Sequence, residues 1–201
     1  MTSLTGTQET TRRGGRGARQ RILNAAAELF YNEGINATGV ELISAKASVS
    51  KRTLYQHFPS KTALVEEYLR MLRQAAGNLT DPPPSDSDSN PRARLLALFD
   101  SPDAADAPMR GCPFHNAAVE AAEAMPGVQD IVHAHKRNYI DGLTELARQA
   151  DAADPQLLGS QLALLYEGAA ALSTSLNDPA PWAHARTTAE ALINQATRDV
   201  A

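Results

Sequence analysis

Between Ser50 and Pro59 the chain reads SKRTLYQHFP. Leu54 and Phe58 stand four apart and share one face of a helix. Lys51, Arg52, Thr53, Tyr55, Gln56 and His57 are left facing away from it, and Ser50 is placed to cap the helix. Each of the six can donate a hydrogen bond and none is acidic. Lysine and arginine can donate to guanine O6 and N7, glutamine can pair with adenine, and a threonine methyl can touch thymine. Lys61 adds a second signal: in the first turn of a helix capped by Ser60 it opposes the positive end of the helix dipole, unless an anion sits there. A DNA phosphate would meet both the lysine and the free backbone amides at that end, and Thr38 at another helix start offers the same chemistry. A different chemistry is suggested by Cys112-Pro-Phe-His115 with His133 and His135. It does not assemble into a metal site: His133 and His135, two apart on a helix, face different sides, and no second cysteine closes the set. No paired nucleophile and base, and no carboxylate cluster, stands at informative spacing, so no catalytic residue is assigned and no cofactor is expected.

The elements that would position these residues are helices. From about Gly17 to Asn32, the residues Ile22, Leu23, Ala26, Leu29 and Phe30 recur at three- and four-residue spacing and mark one buried stripe, ended by Gly34. Thr38 opens a second, short helix in the capping-box pattern Thr-x-x-Glu to Glu41, with Val40, Leu42 and Ile43 as its apolar contacts. The turn at Ser48-Val49 leads into the helix of Lys51 to His57, and Ser60 opens a fourth helix carrying Leu64, Val65, Tyr68, Leu69 and Leu72 to about Ala76. Two short helices joined by a tight turn and flanked by longer ones form a helix-turn-helix. Over residues 78–92 the run NLTDPPPSDSDSNPR forbids a helix and offers nothing apolar to bury. Beyond it, helices are expected at Ala93–Phe99, Phe114–Ala124, Pro126–Ala150, from Asp154-Pro155 to Leu176, and after Pro181. The domain reading is a disordered basic arm (1–15), a helix-turn-helix domain (16–61), a connecting helix (62–77), a flexible loop (78–92) and a helical domain (93–201). The fold class is all-α.

Composition agrees. Aromatic residues make up 5% of the 201-residue chain, too few for a β-rich core, and the hydrophobic share of 43% is enough for a real one. The net charge of -4 conceals an asymmetry. Residues 1–61 hold nine basic and four acidic side chains, and the remainder hold ten and nineteen. A basic head on an acidic body suggests that the head meets a polyanion. No stretch is apolar enough to span a membrane and no signal-peptide core leads the chain, so a cytoplasmic location is expected; one cysteine, Cys112, fits a reducing compartment.

The segment TGVELISAKASVSKRTLYQHFPSKTAL, Thr38 to Leu64, resembles the DNA-binding signature of the TetR (tetracycline repressor) family. The resemblance carries Thr38, Tyr55, His57 and Lys61 over as phosphate contacts, and Lys51, Arg52, Thr53 and Gln56 as base readers. One departure is Ser48, where the family often has glycine; a left-handed backbone there would cost about 1 kcal/mol. The arm with Arg12 and Arg13 either enters an adjacent minor groove or is simply solvated.

So short a recognition helix reads few base pairs, so two copies are needed at half-sites about one DNA turn apart. Leu158, Leu162, Leu165, Ala169 and Leu172 form a near-heptad stripe on the penultimate helix, and Trp182, Ala185, Ala189 and Leu192 form one on the last. The resemblance implies that these two helices make a four-helix bundle with a second copy; otherwise both stripes face the chain's own core. It also implies a small-molecule effector pocket in this half. Its candidate residues are the polar and aromatic ones left over in apolar helices: Phe114, His115, Asn116, Glu120, His133, Tyr139, Tyr166 and Glu167. The partners expected are operator DNA, a second copy and an effector, with repressor action. A DNA-binding dimer without an effector, or an all-α enzyme with a basic head, is the alternative.

Overall fold

The computed structural model describes residues 14–79, 81, 90–100, 110–121 and 124–197, and every regular element among them is a helix. In chain order these are α1 (Gly14–Asn32), α2 (Val40–Lys46), α3 (Lys51–His57), α4 (Lys61–Ala76), α5 (Pro91–Ala97), α6 (Pro113–Ala121), α7 (Pro126–Gln149), α8 (Pro155–Leu176) and α9 (Ala180–Ala196). Two compact units divide the chain, Met1–Tyr68 and Leu69–Ala201, with the boundary inside α4. Residues 1–13 of the expected basic arm lie outside the described residues. Gly14 and Gly15, expected in that arm, belong to α1.

In the first unit the periodic stripe of α1 is buried as its spacing predicts: Ile22, Leu23, Ala26, Leu29 and Phe30 close on Ile43 of α2, Leu54 of α3, Phe58, and Leu64, Val65 and Tyr68 of α4. Burial of each large side chain contributes about 1.5–3 kcal/mol. The rings of Phe30 and Tyr68 meet at 5.7 Å in a tilted pair. Three basic residues of the head fasten this unit internally. Arg19 Nη2 donates to Glu67 at 2.6 Å while its guanidinium stands 5.1 Å from the centre of the Phe58 ring. Arg21 Nε donates to the Ala47 carbonyl at 3.1 Å, satisfying a C-terminal acceptor of α2. Lys46 pairs with Glu28 at 2.7 Å.

Two local expectations are corrected. The N-cap of α2 is Gly39, and no side chain caps it. The Thr38 hydroxyl instead turns inward and donates toward the carbonyls of Gly34 (2.7 Å) and Leu29 (3.3 Å). Leu42 is 48% exposed, because Ile43 and Ser44 take the buried face of so short a helix.

The second unit is built on α7 and α8. Asp154 caps α8 through the Leu157 amide at 2.9 Å, and Asn90 caps α5 through the Arg92 amide at 2.9 Å. Its core joins Leu95 and Phe99 to Leu143 and Leu146 of α7, Leu158 and Leu162 of α8, and Trp182 and Ile193 of α9. The stretch after α4 is less inert than its prolines suggest. Leu79 packs on this core, and a Cβ added at Gly142 would lie 3.1 Å from the Leu79 Cβ. Arg94 then donates to the carbonyls of Leu79 and of Asp81, the latter at 2.8 Å.

Candidate nucleic-acid interface

The turn between α2 and α3 is a Schellman closure. The Val49 amide donates to the Ser44 carbonyl and the Ser48 amide to the Ala45 carbonyl, both at 3.0 Å. The residue at the centre of such a closure is left-handed, and Ser48 adopts it, with φ of 53°. Serine thus accepts the backbone that glycine usually supplies, and the turn keeps its shape.

Ser50 then opens α3. Its Oγ accepts from the Thr53 amide at 3.0 Å and shares a proton with Thr53 Oγ1 at 2.9 Å, so the two hydroxyls serve each other first. Leu54 is fully buried and Phe58 nearly so. That fixes the rotation of α3 and leaves Lys51, Arg52, Tyr55 and Gln56 exposed, a contiguous row at helical spacing; Thr53 and His57 sit half-buried at its margins. At the start of α4, Ser60 Oγ accepts from the Ala63 amide at 3.0 Å, and Lys61 is half-buried.

Thr38 leaves the proposed contact set. It is 0% exposed and its hydroxyl is committed to two carbonyls, so it holds the α1–α2 connection rather than a phosphate. Glu41 enters. Its carboxylate, on the first turn of α2, forms an ion pair with Lys51 at the first turn of α3, and both side chains are more than half exposed. The Lys51 hydrogen bond and the residue's own backbone amide hold that carboxyl below the usual range. The capping-box reading had assigned Glu41 to Thr38, which hid its other role.

In the second unit the candidate effector residues separate into groups. Tyr139, Tyr166 and Glu167 come together: the Tyr166 ring lies 5.4 Å from Tyr139, 5.1 Å from Trp182 and 6.2 Å from Phe99. Glu167 pairs with Lys136, whose Nζ is 3.4 Å from Cys112 Sγ. The Tyr139 hydroxyl is buried without a hydrogen-bond partner among the described residues, and burial, with Tyr166, Glu167 and Cys112 nearby, pushes its ionisation up. Phe114 is buried and stacks on His135 at 3.6 Å between ring centres. Asn116 is used structurally, its Nδ2 donating to the Arg110 carbonyl at 2.7 Å. Glu120 is half-buried on α6, whereas His115 and His133 are exposed and do not converge with the others. Lys136, His135, Phe99 and Cys112 were not among the candidates. No sequence signal marked Lys136, which stands between His135 and Arg137 on α7.

The expected pairing stripes are largely internal. Leu158, Leu162, Ala169, Trp182, Ala185 and Ala189 are buried in the protomer's own core, and Leu165 and Leu192 pack against it. Of that set only Leu172 on α8 is an exposed large hydrophobe, and it shares its face with Leu157, Leu164, Gly168 and Leu176. No helix among the described residues is long and apolar enough to cross a membrane, and no group of three or more metal-ligating side chains forms among them.

A helix-turn-helix with an outward row of donors on its second helix, in a chain that also carries a larger helical unit, defines a DNA-binding regulator. Two family models agree: one described as "Bacterial regulatory proteins, tetR family" matches residues 22–68, and one described as "Tetracyclin repressor-like, C-terminal domain" matches residues 91–189. The crystal structure of a TetR-family transcriptional regulator from Streptomyces coelicolor superposes with a TM-score of 0.79 at 30% identity, covering 91% of this chain and 97% of that one. Among curated relatives, the HTH-type transcriptional activator FasR of Mycolicibacterium smegmatis is 38% identical over 88 residues, 41% of this chain and 39% of its own. The HTH-type transcriptional repressor KstR2 of Rhodococcus jostii is 43% identical over 54 residues, 27% of this chain and 26% of its own. These alignments thus span about two fifths and about a quarter of the relatives' lengths. The chain belongs to the TetR family of DNA-binding transcriptional regulators, which are not enzymes.

Proposed function

We propose that two copies of this chain bind a palindromic operator as a repressor, with one α3 in each of two successive major grooves, and that a small-molecule effector releases them. The observation that carries the reading is the row Lys51, Arg52, Tyr55 and Gln56, exposed on a helix with no acidic residue of its own. Arg52 and Gln56 read base edges, while Tyr55, His57 and Lys61 hold phosphates at the groove margin. Ser50 and Thr53 set the start of α3 and contribute what their mutual hydrogen bond leaves open.

Pairing uses the open face of α8. Leu164 is 75% exposed and Leu172 55%, and with Leu157 and Leu176 they form an apolar row that water meets in a single protomer. The occupant is a second copy, since one three-turn-or-less reading helix cannot discriminate a genomic site and symmetric half-sites demand a symmetric partner. The effector site is the Tyr139, Tyr166, Glu167 and Lys136 group. An unpaired buried hydroxyl costs roughly 1–3 kcal/mol, which a ligand that engages it would recover. Effector and operator are then reciprocally coupled through α4, which holds residues of both units.

The test is a mobility-shift titration with the protein's own upstream DNA at two salt concentrations, repeated with Arg52→Ala and Lys61→Ala, alongside sedimentation of Leu164→Glu. Binding that weakens with salt, loses sequence preference in Arg52→Ala and weakens uniformly in Lys61→Ala supports the reading. A dimer that persists in Leu164→Glu refutes the pairing face. Failure to select any genomic fragment refutes the operator itself.

A further inference from the structure

Glu41 has no role assigned so far, although its ion-pair partner Lys51 belongs to the exposed row of α3. An exposed carboxylate beside a DNA-reading helix repels phosphate and so lowers affinity, unless it contacts something in the groove that donates. Three observations bear on what that is. The pair joins the first turn of α2 to the first turn of α3, and the N-terminal residues of a recognition helix are those that reach base edges. Both partners are more than half exposed, so the pair is not a core contact. The Lys51 hydrogen bond holds the Glu41 carboxyl below its usual range, so it stands ionised beside α3.

Resting on the DNA-reading role of α3, we propose that Glu41 and Lys51 act as one unit that reads a single G·C base pair in each half-site, Lys51 on guanine and Glu41 on cytosine. The complementarity is chemical. In the major groove a G·C pair shows the guanine O6 and N7 acceptors beside the cytosine N4 donor. O6 and N4 are hydrogen-bonded to each other and therefore stand about 2.9 Å apart. A lysine and a glutamate in hydrogen-bond contact present a donor and an acceptor at matching separation. The ammonium donates to O6 and N7, and the carboxylate accepts the second N4 hydrogen. A T·A pair also offers an acceptor beside a donor, but there the ammonium meets the thymine methyl next to O4 and the carboxylate meets the N7 lone pair of adenine. Glu41 is thus a specificity-determining residue that costs general affinity, because its charge opposes phosphate everywhere and is matched only where cytosine donates.

The test is selection from a randomised DNA duplex library with the full-length protein, Glu41→Gln, Lys51→Gln and the double variant, each first shown by circular dichroism to be folded. The wild type is expected to recover a motif with a G·C column favoured about tenfold over the other pairs. Glu41→Gln should flatten that column alone, keep the columns read by Arg52 and Gln56, and bind unselected duplex more tightly. The double variant should lose no more at that column than either single one. If Glu41→Gln tightens binding uniformly with every column intact, Glu41 is only a repulsive charge and the proposal fails; it fails equally if two different columns are lost additively. A wild type that recovers no motif at all sinks the DNA-reading role beneath it, which separates the two failures.

Discussion

At Gly159, α8 runs close against α7. A Cβ built there would lie 2.6 Å from Thr144 Oγ1, 2.8 Å from the Thr144 nitrogen and 2.9 Å from its Cα. Carbon atoms in contact prefer about 3.5–4.0 Å, so a methyl group needs the helices to part by roughly 0.7 Å. Rotating the threonine side chain relieves only the first contact, because the other two are backbone. Overpacking of this kind costs about 1–3 kcal/mol, and a backbone clash belongs at the upper end. Replacing a helical glycine by alanine returns about 1 kcal/mol of propensity, so Gly159→Ala should lose about 2 kcal/mol net. Gly168, on the same helix, has nothing within 4 Å, so Gly168→Ala should gain up to about 1 kcal/mol. Urea unfolding followed by circular dichroism at one fixed protomer concentration measures both. A midpoint for Gly159→Ala at or above the parent's would refute the close approach. Because Gly168 lies on the face assigned to the partner copy, a loss there that grows with concentration reports pairing rather than α7–α8 packing.

Ser48→Gly should raise stability by about 0.5–1 kcal/mol by relieving the left-handed serine, and a lowered melting temperature would contradict the Schellman geometry. Thr38→Val should cost about 1–2 kcal/mol through the two lost carbonyl bonds yet leave the salt dependence of DNA binding unchanged; a slope reduced by about 0.9 would restore the phosphate role. The His135 imidazole is held below its ordinary value first by burial, then by Lys136 and Arg73, against the pull of Glu167. As pH falls below about 6.5 the unfolded chain takes up a proton that the folded one refuses. Stability should therefore decline from there down to the folded value, and His135→Phe, which keeps the stack on Phe114, should flatten melting temperature against pH between 7.5 and 5.5. Tyr139→Phe should be neutral or stabilising in urea, since it removes a hydroxyl with no partner among the described residues, and a loss above 1 kcal/mol would mean that the hydroxyl is bonded after all.

Three helices of the head, α1, α3 and α4, were legible because each has a local marker: the α1 stripe, and Ser50 and Ser60 as caps. The capping box at Thr38 misled because Thr-x-x-Glu spacing cannot distinguish a threonine that caps forward from one whose hydroxyl turns back to the carbonyls of α1. Glu41 was overlooked for the same reason, since its partner lies on another helix. On α8, periodicity revealed a stripe but not its recipient. Leu158, Leu162 and Ala169 face the chain's own core, while Leu157, Leu164 and Leu172, one to three residues offset, are open. An apolar helix with stripes on two sides offers no sequence signal for which side is internal. The effector group was half visible: Tyr139, Tyr166 and Glu167 were singled out, but Lys136 and Phe99 reach them from α7 and from the residues just after α5, a convergence that only tertiary contacts reveal.

The charge asymmetry also means less, and more, than a count suggests. Of the nine basic residues in the head, Arg19, Arg21 and Lys46 are spent on internal bonds and Lys51 on Glu41. Those four contribute little to counterion release until DNA competes for them, so sequence-independent affinity is lower than the count of nine basic residues implies. Discrimination then rests on hydrogen-bonding geometry along α3. The acidic body works in the same direction. Its excess of nine negative charges, screened beyond about 8 Å at physiological salt, opposes any pose that lays the body against phosphate. Weak general attraction at the head and repulsion from the body lower binding to right and wrong sites alike. Specificity is a ratio of the two affinities, so on the proposed reading it must come from the hydrogen-bonding row of α3, where only the right bases are matched.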